Sequence, residues 1–493
     1  MTTKTELVTL EASGLIQIAA VQPELEYLFR HALVQDAAYS SLLKQDRRAL
    51  HELAAESLLT VYPDRQRELA AVIAMHFDQA GDVARAAEHY AIAGEHALER
   101  FAQREAVNFF KRAVELLPPD DPRVDLRMRA AIGAAKAGWT FSGLSGAIDL
   151  LESATEAAGD RADKRLLADA YFWIAFMRRV SGEAPESSPK LKHAVEQAEQ
   201  IGLSLGDPAA RAIPKAFMGA GVMFTGELRE GAKLLNEALE ALEGRTDALS
   251  TAILSGFLAM TYARLGQFDD AQRALARSER FAAQGDEIAR LDNDIARTAI
   301  QLERGDIDDA SRLGFLCAQT SETLGAVSCA VAANVLLGQS RLILEDVLGA
   351  KAPLERGLEL SLVTDMAPFR TLAKGMLGSV RSRLGDQPAA DAGWNDALAN
   401  AVSGGDRFGQ AVTLWGRART HLRRDTPDWN AALADLDKAL ALFELMEARP
   451  SVARVLRDRG EVLRAVGRGG EADEAEGRSR EIAGQIGLKD FGT

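Results

Sequence analysis

The chain has 493 residues, more than one compact core usually supports, so several domains or a solenoid are expected. A composition of 47% hydrophobic and 26% charged residues excludes a disordered chain. The formal charge of -14, with no basic run, argues against non-specific binding to nucleic-acid phosphates.

Only two cysteines, Cys317 and Cys329, are present, too few for a disulfide framework. No secretory leader opens the chain and no apolar run approaches a membrane span, so a reduced, cytoplasmic protein without membrane contact is expected. Fourteen prolines in this length favour long helices, and alternating Val/Ile/Thr-rich runs are almost absent. These features predict an all-α chain with little sheet.

In chain order, residues 1–30 read as a small mixed module. Residues 7–12 close a helix, 14–18 form a strand, 21–24 a turn and 25–29 a second strand. Helix, strand, turn, strand is the back half of a winged helix, whose front helices are not in the sequence. The second strand runs into a helix beginning near His31, with apolar residues at Leu33, Ala37, Leu42 and Leu43 and with Tyr39 on a neighbouring face. Phe29, Arg30, His31 and Tyr39 are the candidate coupling residues of this junction. Helices over 32–43 and 47–62 follow, the latter ended by Pro63.

From residue 68 a pattern sets in: helix, Gly turn, then a helix with small residues seven apart. The turns hold Gly81, Gly143, Gly226, Gly266, Gly305 and Gly385, with Glu345 and Gly467 in equivalent places. In the second half they recur roughly every 40 residues, as in a helical-pair solenoid. Small pairs include Ala271/Ser278, Ala310/Cys317, Ala350/Gly357, Ala390/Ala397 and Ala432/Ala439. Larger residues such as Leu275, Leu354, Trp394 and Leu436 sit between the members. The preceding helices carry Gly219, Ala259, Thr298, Gly338, Gly378 and Gly460 in register. A helical Gly costs about 1 kcal/mol relative to Ala, so these glycines call for a compensating close approach of helices.

This constellation resembles the tetratricopeptide repeat over most of residues 68–487. The resemblance implies a right-handed solenoid of helical repeats, preceded here by the short N-terminal β-hairpin of a partial winged helix. The period exceeds the family's usual 34 residues, so longer helices are expected. One helix, over 85–101, serves two neighbours, and residues 180–189 form an irregular loop. The expected division is a partial winged-helix module over 1–30, a helical arm with the first repeats over 31–120, and the solenoid over 121–487. In such arrays the first helix of each pair lines the groove. That register places Phe217, Met223, Phe224, Phe257, Met260, Leu336 and Met376 on the groove face. An apolar Phe/Met face either becomes core between tightly wound helices or accepts an amphipathic guest.

No phosphate loop, nucleophile elbow or His-Glu-x-x-His motif occurs. The seven histidines include no i, i+4 pair, and no Cys–His cluster has metal spacing; His89 and His96 share a helix face at most. Cys317 occupies a slot filled elsewhere by Ala, Ser or Gly and reads as a packing residue. No catalytic residue, metal or cofactor is expected.

Residues 24–43 and 47–51, continued by 71–77, 80–82 and 101–117, are similar to the segment after the ATPase core in multidomain signalling NTPases. These include class III adenylate/guanylate cyclases with tetratricopeptide repeats and related transcriptional regulators. The resemblance implies a sensor or regulatory arm without the cyclase and ATPase domains, and protein partners that include an ATPase or cyclase module. The resemblance implies that His31 is the counterpart of a winged-helix histidine that touches nucleotide. The expected function is a non-enzymatic, protein-binding sensor arm. The alternative is a small-ligand sensor whose solenoid changes shape when an inducer binds.

Overall fold

The computed structural model describes residues 3–20, 25–184, 187–206, 219, 221, 226–242, 248–282, 286–423 and 426–489. The chain forms two compact units: Met1–His96 with Phe109–Pro118, and Ala97–Asn108 with Pro119–Thr493.

The first unit opens with α1 (Thr3–Ala12), followed by β1 (Ile16–Ala20) and β2 (Glu26–Phe29). The two strands pair antiparallel, with Ile16 opposite Phe29 and Ile18 opposite Tyr27. Helix α2 (Ala32–Ser41) ends earlier than the sequence pattern implies. Leu42 and Leu43 are extended, with ψ of 140° and 149°, because Leu43 is already the N-cap of α3 (Lys44–Val61). Next come α4 (Ala70–Ala80), α5 (Val83–Glu99) and α6 (Gln103–Leu116), the last two shared between the units. The core here is Ala55, Ile73, Phe77 and Ala86. Gly81 closes α4 in the left-handed region, and its N–H donates to the carbonyls of Phe77 and Asp78.

The second unit continues with α7 (Val124–Gly138), α8 (Leu144–Ala158), α9 (Lys164–Val180), α10 (Pro189–Leu205), α11 (Leu228–Ala241) and α12 (Ala248–Arg264). Then follow α13 (Phe268–Ala282), α14 (Glu287–Arg304), α15 (Ile307–Leu324), α16 (Val327–Ile343), α17 (Val347–Thr364) and α18 (Ala367–Arg383). The last are α19 (Gln387–Ser403), α20 (Arg407–Leu422), α21 (Trp429–Leu445), α22 (Arg449–Ala465) and α23 (Gly469–Ile486). Adjacent helices pack as antiparallel pairs, the arrangement of a tetratricopeptide-like solenoid.

Physical detail supports the register. Gly226, Gly266, Gly305, Gly385 and Gly467 all have φ between 75° and 93°, where glycine carries no Cβ penalty. Glu345 takes the same conformation without being glycine, at φ 64°. Gly143 does not: its φ is -65°, and it caps the start of α8. It is small for another reason, since a Cβ there would meet the Val363 carbonyl at 2.8 Å. The helical glycines mark contacts between paired helices. A Cβ on Gly378 would lie 2.6 Å from the Trp394 ring, and one on Gly338 would collide with Leu354. Trp394, Leu354 and Leu436 are fully buried, as are Ala310, Ala350, Ala390 and Ala432. Each glycine thus admits the large residue of the next helix, and the burial gained offsets the weak helix propensity.

Candidate functional site

The inner wall of the second unit is built from one face of successive helices. On α14 that face is Asp292, Ile295, Ala299, Leu302 and Glu303, a helical spacing of three, four, three and one. Helix α12 contributes Phe257, Met260 and Arg264, and α16 contributes Cys329, Ala332 and Leu336. Trp139, Phe176, Phe369 and Phe408 complete the wall. Together they surround a cavity with about 1240 Å³ of space not filled by protein atoms, its solvent-facing mouth included.

The aromatic side chains form a connected cluster. Trp139 and Phe176 meet edge to face at 6.0 Å, and Phe176 meets Phe257 at 6.3 Å. Ser328 fixes this end: its hydroxyl donates to the Trp139 carbonyl at 2.7 Å and its N–H donates to the Thr140 carbonyl at 3.1 Å.

Four charged side chains face the same space. Arg264 lies 3.8 Å above the Phe408 ring, in cation–π geometry. Burial lowers its pKa, while the nearby carboxylates of Glu303 and Asp406 oppose that shift. Glu303 is also 3.7 Å from Arg454, whose guanidinium donates to the Leu302 and Glu303 carbonyls. Asp406 caps α20 by accepting from the Gly409 N–H at 2.8 Å. Burial pushes its carboxyl up to about 6, against the Gly409 bond and the positive fields of Arg264 and Arg179. Asp292 stands apart from these cations. One oxygen accepts from the Cys329 thiol at 3.2 Å, and no described residue hydrogen-bonds the other, Oδ2, which is shut off from solvent. Burial lifts its carboxyl to about 7; the Cys329 bond opposes this and Asp286 adds to it.

Of the groove positions read from sequence, Phe257, Met260 and Leu336 line this cavity. Met376 does not; it is buried in α18 beside a separate pocket flanked by Arg383, Arg419 and Arg423. Phe217, Met223 and Phe224 lie outside the described residues. Sequence reasoning passed over Asp292, Arg264, Glu303 and Asp406. The available signal was a charged residue in line with an apolar helical stripe, as Asp292 is with Ile295 and Ala299.

In the first unit, Phe29, Arg30 and His31 are exposed, and His31 caps α2 without a side-chain bond. Tyr39 is tied in: its hydroxyl lies 3.0 Å from His51 Nε2, and His51 Nδ1 lies 2.8 Å from His76 Nδ1. Burial, reinforced by His51, lowers the pKa of His76. His89 bonds the Arg85 carbonyl at 2.9 Å, and its ring lies 5.4 Å from that of Phe77 in a tilted contact. Cys317 is buried in its packing slot, which pushes its thiol up to about 12. No cluster of three metal-ligating side chains occurs among the described residues. No described helix is long and apolar enough to cross a membrane.

The architecture is that of tetratricopeptide-like helical-repeat proteins. No family model matches the sequence, and no curated protein matches it. Among solved structures, a Rap protein complexed with competence and sporulation factor is similar, at 13% identity and a TM-score of 0.56. The match covers 74% of this chain and 99% of that one. A STAND signal-transduction ATPase with a tetratricopeptide repeat sensor from Pyrococcus horikoshii matches at 16% identity and a TM-score of 0.46, over 82% of this chain and 60% of that one. Aspartyl phosphate phosphatase F from Bacillus subtilis matches at 12% identity and a TM-score of 0.42, over 73% and 94%. At these identities the likeness is one of fold.

Proposed function

We propose that the chain is a non-enzymatic sensor whose repeat unit binds a small guest in the cavity between its inner helices. One observation carries this reading: charged side chains and a connected aromatic cluster converge on a single space lined by Phe257, Met260 and Leu336. Binding pockets combine mostly apolar walls with a few placed polar groups, and this cavity has that character. A guest that touches α12, α14, α16 and α18 at once would favour one packing of the repeats over others, which is how binding becomes a change of shape. Screening the full chain against a metabolite library by thermal shift, with small-angle scattering on any hit, tests the reading. A ligand that raises the melting temperature and changes the radius of gyration is the expected result. No shift from any compound would refute it.

The wider role we propose is that of a regulatory arm in a signal-transduction NTPase system, with the N-terminal hairpin and α2 as a partial winged helix that couples to an ATPase or cyclase module. The first unit presents large apolar side chains to solvent, including Leu28 at 58%, Leu33 at 82%, Leu43 at 72% and Leu53 at 62% exposure. Where such side chains form one contiguous patch, a protein partner ordinarily covers it. This supports a second reading, a protein-binding scaffold. In that case Leu33→Asp with Leu43→Asp abolishes binding to a purified ATPase module while the isolated chain keeps its circular dichroism spectrum. Unchanged binding would discard the coupling role. Steady ATP turnover by the purified chain would refute the non-enzymatic assignment.

A further inference from the structure

We infer that the cavity of the repeat unit takes a small organic cation, an amine on an aromatic or branched aliphatic body, with Asp292 as its counter-charge. The inference rests on the ligand-sensor reading and adds the chemical class of the ligand.

Three observations converge. First, Asp292 faces the cavity with Oδ2 shut off from solvent and hydrogen-bonded by no described residue. A buried carboxylate without a cation is costly, and a ligand ammonium in the adjoining cavity supplies the missing charge. The groups acting on this carboxyl are the Cys329 thiol and a second acid, Asp286, with no cation among them. Second, the aromatic cluster lines the same cavity. Ser328, the neighbour of Cys329, is bonded to the Trp139 carbonyl, and Trp139 meets Phe176 edge to face. Faces of Trp and Phe attract cations, and beside a carboxylate they make a cage for an alkylated or arylated amine. Third, the cavity's other acids already have cations. Arg264 stands in the field of Glu303 and Asp406 and against the Phe408 ring, Glu303 also has Arg454, and Asp406 also has Arg179. A cationic guest therefore relieves the one acid that stands alone.

Isothermal titration of the full chain tests this with three matched probes: 2-phenylethylamine, neutral 2-phenylethanol and anionic 3-phenylpropanoate. The amine is expected to bind at least tenfold more tightly than the alcohol, with no binding of the carboxylate. Asp292→Asn removes the charge and keeps the shape, so it should bring the amine down to the alcohol's affinity. Ala299→Phe fills the cavity two helical turns from Asp292 and should abolish binding of every probe. Equal affinity for amine and alcohol, with Ala299→Phe blocking both, overturns the cation assignment and leaves the ligand-sensor reading intact. Tighter binding of the carboxylate, or amine binding that is undiminished in Asp292→Asn, overturns it as well. No binding by any probe overturns the inference, while the library screen still decides the sensor reading. If Asp292→Asn fails to fold, the amine-to-alcohol ratio of the unmodified chain and its block by Ala299→Phe decide the question.

Discussion

Asp292 makes a quantitative prediction about stability. Its carboxyl stands at about 7 in the folded chain against an ordinary 3.8. The side chain is half-buried and lines the cavity. Because the folded pKa is raised, the folded state holds a proton that the unfolded state has already released. Stability is therefore undiminished below about pH 4, falls as pH rises, and levels off above about pH 7. At about 1.4 kcal/mol per pH unit, the penalty at pH 8 is about 4 kcal/mol. Asp292→Asn carries no charge at any pH and still offers an oxygen to the Cys329 thiol. The variant should match the natural chain near pH 3 and exceed it by about 1 kcal/mol at pH 4.5 and about 4 kcal/mol at pH 8. Repeat arrays do not always unfold in one step, so a local reading is needed. Hydrogen exchange of peptides from α14 and α16, followed by mass spectrometry at pH-corrected times, supplies it. A protection difference that stays constant between pH 5 and pH 8 would refute the assignment of a buried, uncompensated acid.

Other expectations follow from packing and charge. Trp394→Ala empties a fully buried site and should cost about 3–5 kcal/mol, read as a lower urea midpoint. Gly378→Val places a branched side chain against the Trp394 ring, so overpacking of about 1–3 kcal/mol should outweigh the improved helix propensity. A variant as stable as the parent would show that α18 and α19 do not approach closely. Phe257→Asp with Met260→Asp puts two acids on the cavity wall; binding of any apolar guest should disappear, and circular dichroism reports whether the fold persists. The lowered pKa of His76 means the folded state resists its protonation. The first unit should accordingly lose stability as pH falls below about 6.5, and His76→Gln should flatten that loss in exchange rates of α4.

Much of the architecture was legible because tetratricopeptide-like packing writes itself locally. A turn that needs positive φ selects Gly at 266, 305 and 385, and a helix that must approach another closely selects Gly at 338 and 378. Each requirement acts on one position at a fixed spacing, so it survives in the sequence. The sequence was silent on Gly143, whose need is set by the Val363 carbonyl, far along the chain. It also misjudged the end of α2, because Leu42 and Leu43 continue an apolar pattern while the backbone already belongs to the cap of α3. Local periodicity does not distinguish these cases.

The site divides the same way. The apolar inner face, with Phe257, Met260 and Leu336, was readable from helical register alone. The separation of Met376 from them was not, since it depends on how α18 sits against α20. Nor was the character of the cavity. Asp292, Cys329 and Trp139 come from three different helical hairpins, and a lone acid in a sequence looks like any solvated one. By itself the sequence determined that this chain is a helical-repeat array, because each turn and each small residue answers to its immediate neighbours. Only the tertiary structure decided that an acid without a cation shares a cavity with an aromatic cluster, because burial and charge depend on what distant helices bring to the same space.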